Sequence, residues 1–449
     1  MKLLRILLKV LAGLLIAIFL FLAVSLAPVD DTPYQQTDYY QQTKQRLTQL
    51  NPTVTGKYPI RAGWASANLT PAYTTPTGGY GVRRGKHWET VADSIYVRAI
   101  VLDNGTTKAA IVSADLLIIP PTVTEQLKKR LPEVGLHWDK VFMGAIHSHN
   151  SIGGWAPGVV GRLFSGEYDE MIVDHITNTI LKAIASAQQN IAPVAVGFGQ
   201  VMAGSLLYNR LNEGNPVDGW FRMLMLQKTT GELALLCTYA GHSTTLDAVQ
   251  DYKYLSRDYP GVLVDTLAKK TGSFTVFMSG AVGSTGPKAE GETGLDRKQS
   301  YALDLASVVL PAIPQITTKP DSTLGIATLP LGLREPNARV LGNWRIRPWL
   351  FHDVYGDFPS DLKALRIGNT ILVSTPCDFS GELLPEFNAI VKEKQVNLMI
   401  TSFNGGYVGY ITPDAYYNQE AYETQTMNWF GPYNGAYFVE MMKGLIAKM

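Results

Sequence analysis

From Ile60 onward, short apolar runs alternate with amphipathic ones, and the pattern predicts an α/β protein. SIYVRAIVLD (94–103) and KAAIVSADLLII (108–119) read as neighbouring strands joined at a hairpin turn by Asn104-Gly105. TVTEQLKKRLPEV (122–134) and YDEMIVDHITNTILKAIASAQQ (168–189) repeat their apolar positions at helical spacing, and KVFMGAIH (140–147) between them reads as a strand. LALLCTYAGH (233–242), FTVFMSG (274–280), ALRIGNTILVSTPCD (364–378) and VNLMITSFN (396–404) are further strand candidates, each running into a polar or glycine-rich loop. Strands interleaved with helices imply layered mixed β-sheets flanked by helices, and in such folds sites collect on loops at strand ends. Nothing divides residues 60–449, so they read as one domain.

The N-terminus has a different pattern. Lys2, Arg5 and Lys9 precede VLAGLLIAIFLFLAVSLA (10–27), 18 residues without a charge, and Asp30 and Asp31 follow. A basic flank, an apolar span and an acidic exit direct the rest of the chain out of the cytoplasm, towards a periplasm or the exterior. Residues 1–28 are either a signal peptide, with Ser25-Leu26-Ala27 as the cleavage motif, or a signal-anchor transmembrane helix through which the protein partners a membrane. Residues 29–59 are polar and read as a tether with a short helix around DYYQQTKQRLTQL (38–50).

A formal charge of +1 and the lack of a basic block exclude nucleic acid as a partner. Two cysteines, Cys237 and Cys377, rule out a disulfide-rich scaffold and a thiolate zinc cluster; they read as buried apolar residues, with a single long-range bridge still open.

The chemistry begins at GAIHSHNSIGG (144–154), which holds two of the seven histidines. On a strand, residues i and i+2 share a face, so His147 and His149 can address one site. Two readings stand: a pair of metal ligands, or polar residues hydrogen-bonded at a strand end. A third histidine, His242, also closes an apolar strand, in CTYAGHSTTL (237–246). Zinc takes neutral imidazoles and in catalytic sites keeps one position for water.

Taken together, the motifs resemble the neutral/alkaline non-lysosomal ceramidase family across nearly all of 60–449. His147-Ser148-His149-Asn150-Ser151 corresponds to the family's HTHSG, His242-Ser243-Thr244 to HPT, and LYNRLNEG, with Arg210, to NxNR. GGYG, with Gly79 before Tyr80, matches MGY; SADL (113–116) matches a TDL-like strand end; YITPDAYYNQEAYE (410–423) matches YVTTxEEYxxQxYE. The resemblance implies a Zn2+ cofactor held by His147, His242, Asp378 and Tyr410, with His149, Arg210 and Tyr422 around the substrate amide and Gly79 lining the pocket. The residues alone also allow Arg210 as a structural arginine paired with a carboxylate such as Asp258, and favour Asp115 as a brace at a strand end.

Two departures bear on mechanism. The family's PGEF is Pro376-Cys377-Asp378-Phe379 here, one methylene shorter at the carboxylate. Its QSNxGDVSP loop, with a serine proposed as nucleophile, reads SGAVGSTGP (279–287), which puts Gly280 at the serine and leaves Ser279 one residue out of place. The expected function is therefore a zinc-dependent amidohydrolase using zinc-activated water on the N-acyl amide of ceramide or a related lipid. Hydrolysis of another acyl amide or ester, and a non-catalytic relative, are the alternatives. With Met449 soon after the last motif, no room is expected for the C-terminal domain of larger relatives.

Overall fold

Many core strands are mainly apolar and buried on both faces. A computed structural model of the chain describes residues 2–357 and 360–449. Its helices are α1 (Lys2–Ser25), α2 (Asp38–Gln49), α3 (Pro121–Arg130), α4 (Gly158–Ser165), α5 (Glu170–Gln188), α6 (Asp258–Thr271), α7 (Gly294–Val309), α8 (Pro348–Tyr355), α9 (Asn388–Lys394) and α10 (Asn434–Lys448). The core strands are β1 (Arg61–Asn68), β2 (Tyr96–Asp103), β3 (Lys108–Ala114), β4 (Val141–Ala145), β5 (Ala192–Met202), β6 (Trp220–Lys228), β7 (Leu233–Tyr239), β8 (Phe274–Ser279), β9 (Leu324–Pro330), β10 (Asp361–Ile367), β11 (Thr370–Ser374) and β12 (Asn397–Thr401). One mixed sheet runs β8-β7-β6-β5-β1-β2-β3-β4 and a second runs β9-β10-β11-β12.

Period-2 alternation sorts each strand between two layers. Ile100, Leu102, Ile111, Leu236 and Val276 of the first sheet pack on Ile326, Leu365, Leu372 and Met399 of the second. The opposite parity of the first sheet, Val97, Ala99 and Val112, meets Ile172, Ile176 and Ile180 of α5. Further along, Met223, Leu235 and Phe277 meet Leu263 and Leu267 of α6 and Leu305 of α7. The outer face of the second sheet, through Leu362, Ile371 and Val373, is covered by Leu445 and Ile446 of α10 and Leu47 of α2. The order is helices, sheet, sheet, helices, as the alternation implied.

The first sheet coils until its edge strands β4 and β8 approach. Ser113 Oγ on β3 donates to the Phe277 carbonyl of β8 at 2.5 Å, and a Cβ on Gly144 of β4 would lie 3.1 Å from Met278 Sδ. That closure brings the loop after β4 to the loop after β7.

Two elements differ from the reading above. ALRIGNTILVSTPCD is two strands, β10 and β11, reversed at Gly368 (φ 59°) and Asn369, a turn signal inside an apolar run. The stretch 29–59 is docked rather than free. Tyr40, Thr43 and Leu47 bury one stripe of α2, Tyr34 and Tyr40 donate to Glu440 of α10 at 2.8 and 2.7 Å, and Tyr437 reaches Thr43 at 3.0 Å. The stripe is built of tyrosine and threonine, so hydropathy alone hid it. α1 is long and apolar enough to cross a bilayer and is exposed up to the buried Ser25.

Candidate metal centre and active site

The candidate ligands stand on loops that follow β4, β7, β11 and β12. β4 ends at Ala145, so His147 and His149 lie beyond the strand, and strand alternation does not orient them. Instead His147 takes a left-handed backbone (φ 63°), which turns the chain and aims both rings the same way. Buried side chains hold this turn. Arg83 donates to the His149 carbonyl (2.5 Å) and Asn150 Oδ1 (2.9 Å), Ser148 to the Ser256 carbonyl (2.6 Å), and Ser243 to the Ile146 carbonyl (2.6 Å). Gly79, at φ 126°, lies against His149; a Cβ there would fall 2.8 Å from Nδ1 and 2.9 Å from Cα.

Three imidazoles converge. His147 Nε2 is 2.9 Å from His242 Nε2, and His149 Nε2 is 3.2 and 3.3 Å from these two. His147 Nδ1 sits 2.8 Å from the Leu117 carbonyl, so it carries the proton and leaves the Nε2 lone pair free. His242 Nδ1 faces the Val282 carbonyl at 3.4 Å in the same sense. Burial holds all three rings neutral: His147 is pushed down to about 3, and His149 and His242 well below the usual imidazole range. Neutral rings with lone pairs aimed at one point repel unless a cation lies among them. A tetrahedral zinc with about 2.05 Å bonds separates its nitrogens by about 3.3 Å, close to what the rings adopt.

Asp378 completes the cluster. Residues Asp378–Phe379 pair in parallel with Tyr410–Ile411, in register, so the carboxylate and Tyr410 share one short bridge. Asp378 is fully buried; Oδ2 accepts from Tyr407 (2.8 Å), while Oδ1 has no hydrogen-bond partner among the described residues and lies 3.5 Å from His147 Nε2. Burial raises this carboxyl to about 7, against the opposing pull of Tyr407 and Arg210. Three converging nitrogens, with an orphaned buried oxygen 3.5 Å from one of them, are a donor set that fits a divalent cation.

Tyr410 accepts from Arg210 Nη2 (2.9 Å), and Arg210 Nε lies 2.7 Å from Glu423 Oε1. Arg210 thus pairs with Glu423 and not with Asp258, whose carboxylate accepts from Thr245. Asp115 pairs with Arg98 at 3.0 Å and is the brace expected. Tyr422, half-exposed, stacks edge-on against Tyr410 with centroids 5.7 Å apart. A pocket of about 230 Å³ opens over the cluster. His147, His149, Tyr410 and Gly79 form its floor, and Leu117, Ile118, Trp155, Phe164 and Trp429 its apolar walls, with Tyr422 at the side.

The sequence reading grouped His149 with the substrate and Tyr410 with the metal. The geometry brings all eight predicted residues together; His149 Nε2 lies beside the Nε2 atoms of His147 and His242, and Tyr410 accepts from Arg210. Three contributors went unread: Tyr407, Arg83 and Glu423. Glu423 stands in the quoted QxYE motif and could have been found there; Tyr407 and Arg83 carried no signal. The loop 279–287 serves as scaffold, with Val282 facing His242 and Gly283 N–H donating to the Phe379 carbonyl (2.8 Å). Cys237 and Cys377 are free and buried.

Comparison with known proteins agrees with this architecture. Residues 62–262 match the model of the family described as neutral/alkaline non-lysosomal ceramidase, N-terminal. The crystal structure of neutral ceramidase from Pseudomonas aeruginosa superposes with a TM-score of 0.75 at 17% identity, covering 87% of this chain and 75% of that one. A structure described as ceramidase complexed with C2 gives 0.73 at 16%, covering 87% and 76%. No curated protein matches the chain by sequence. The resemblance read from the motifs therefore holds, and the chain carries the neutral ceramidase fold. The matched stretch includes Gly79, His147, His149, Arg210 and His242 and ends before Asp378, Tyr410 and Tyr422.

Proposed function

We propose that this chain, which shares its fold with the neutral ceramidases, is a zinc-dependent hydrolase of the N-acyl amide bond in ceramide or a related lipid. The observation that carries this is an apolar pocket with His147 and His149 at its floor, two of three neutral, mutually facing imidazoles, next to the buried, orphaned Asp378 oxygen. An acyl chain suits the walls and an amide the floor.

We assign His147, His149 and His242 as the nitrogen donors and Asp378 as the adjoining carboxylate. When bound, zinc would supply an acidic water and a Lewis acid for the carbonyl near neutral pH. The chain's own groups do the rest. Asp378 Oδ1, without a hydrogen-bond partner among the described residues and 3.5 Å from His147 Nε2, adds a carboxylate to the donor set, held in place by Tyr407. Arg210, locked between Glu423 and Tyr410, fixes a positive charge beside the floor and keeps the Tyr410 oxygen in place. Tyr422, on the pocket side, offers a hydroxyl to the developing oxyanion; one such donor is worth roughly 3 kcal/mol. Ser279 Oγ has no hydrogen-bond partner among the described residues, so no base activates it as a nucleophile.

α1 is assigned as a retained anchor, with Lys2, Arg5 and Lys9 on the cytoplasmic side and the domain outside. Support comes from the candidate cleavage site, since Leu26–Pro28 is itself a strand paired with Trp344–Ile346.

The test is metal analysis of the purified full chain with a panel of N-acyl amides and esters. About one zinc per chain and amide cleavage that chelation abolishes and zinc restores are expected. Cleavage of esters only would move the substrate class. Zinc without turnover on any substrate would reduce the chain to a binding protein.

A further inference from the structure

We infer that the protein lies on a lipid bilayer through one face, built of the hairpin 339–346, the start of α8 and the outer side of α4, and that the pocket opens at that surface. The inference rests on the lipid-amide reading only for the identity of the substrate.

α1 does not end in a free linker. Leu26–Pro28 pairs antiparallel with Trp344–Ile346, which pairs in turn with Arg339–Leu341. The Arg347 amide donates to the Ser25 carbonyl at 2.8 Å, and the Trp349 indole to the Val24 carbonyl at 3.1 Å. Backbone bonds therefore fix the domain to the end of the apolar helix. At 24 residues α1 is about 36 Å long, enough to cross a hydrocarbon core. With α1 in a bilayer, the hairpin and the first turn of α8 stand at its surface.

These elements have the composition that a membrane interface selects. Leu341 is 71% exposed, and Val340, Trp344 and Trp349 are each about half exposed, with Arg347 exposed beside them. Apolar tips, interfacial tryptophans and a cation at headgroup depth are the pattern of a surface embedded to that level. Continuity with α1 argues for lipid over a protein partner.

The same face leads to the pocket. α8 is about 12 Å long, beginning at the anchor; Tyr355 at its end and Gly356 just beyond line the pocket. It packs on α4, where Val159 and Leu163 are exposed while Val160 and Phe164 form pocket wall. An amphiphile in the outer leaflet thus reaches the metal-facing floor without crossing water.

The test uses the full chain in vesicles of phosphatidylethanolamine and phosphatidylglycerol. Leu341→Cys carries an environment-sensitive dye, and Glu133→Cys, beyond the far end of α3, is the control; the native cysteines are buried. Dye at 341 should shift to the blue and be quenched by brominated acyl chains, while dye at 133 reports water. The double variant Leu341→Glu/Trp344→Glu should lose roughly tenfold in turnover of an N-acyl amide carried in the vesicle and keep turnover of a short-chain, water-soluble amide. Equal solvent exposure of the two dyes, or equal effects on both amides with the 341 dye in water, overturns the inference. A wild-type chain that cleaves neither amide sinks the hydrolase reading instead, and the dyes still decide the docking.

Discussion

Replacing Tyr407 by phenylalanine isolates one hydrogen bond that shapes the proposed metal site. The hydroxyl donates at 2.8 Å to Oδ2 of Asp378, which is fully buried. A bond of this kind to a charged acceptor is worth about 1.5–3 kcal/mol, and it favours the carboxylate, the form able to bind a cation. Removing it should weaken zinc binding by about ten- to a hundredfold, the range expected when a partner of a metal ligand is lost. The loss should be larger near pH 6 than near pH 8. The Asp378 carboxyl is already raised to about 7 by burial, and loss of Tyr407 lets a proton compete more strongly with the metal as the pH falls. Competition against a chromophoric chelator at several pH values measures both effects, and melting of the metal-free protein checks the fold. A dissociation constant within about twofold of wild type at every pH would refute the reasoning, and with it the assignment of Asp378 beside the metal.

His147→Ala should lose most bound zinc, measured by elemental analysis, while the metal-free fold survives. Gly79→Ala should perturb zinc binding through His149, because its Cβ would fall 2.8 Å from that ring at a φ of 126° that costs about 1–3 kcal/mol for a side chain; unchanged metal affinity would count against the role given to His149. Ser279→Ala should leave turnover nearly unchanged, and an acylated Ser279 in a mass spectrum would overturn the water mechanism. Lys363, buried under Trp138 with its ammonium bonded to the Trp138 and Val141 carbonyls, is lowered to about 8 by desolvation. The unfolded chain holds that proton up to about 10.5, so this group makes the fold more stable as pH rises from about 8 towards 10.5; Lys363→Met should flatten the rise in denaturant midpoint over that window.

The layers were readable because β2, β3, β7, β8 and β12 formed where short, mainly apolar runs lie in the sequence. Which face of each strand meets helix and which meets sheet was not readable, since a strand buried on both faces does not say. The histidine trio was half legible. Spacing paired His147 with His149 for a reason that fails, because both lie past the strand, and the left-handed turn that does align them needs Arg83, 64 residues upstream of His147 in sequence and invisible to any local pattern. Motif resemblance found Asp378 and Tyr410, which residue chemistry would have passed over, yet it could not say that Arg210 would spend its charge on Glu423 and the Tyr410 hydroxyl.

The coiling of the first sheet has a consequence for how the protein matures. His147 and His242 are 95 residues apart and meet only when strands β4 and β8 have closed on each other; Asp378 arrives from a separate sheet further along the chain. The nitrogen triangle and the carboxylate span residues 147 to 378, and contacts of such long range form late and slowly. Capture of the proposed metal would therefore report completed folding. On the proposed function, amide hydrolysis would begin only once the last strands have docked.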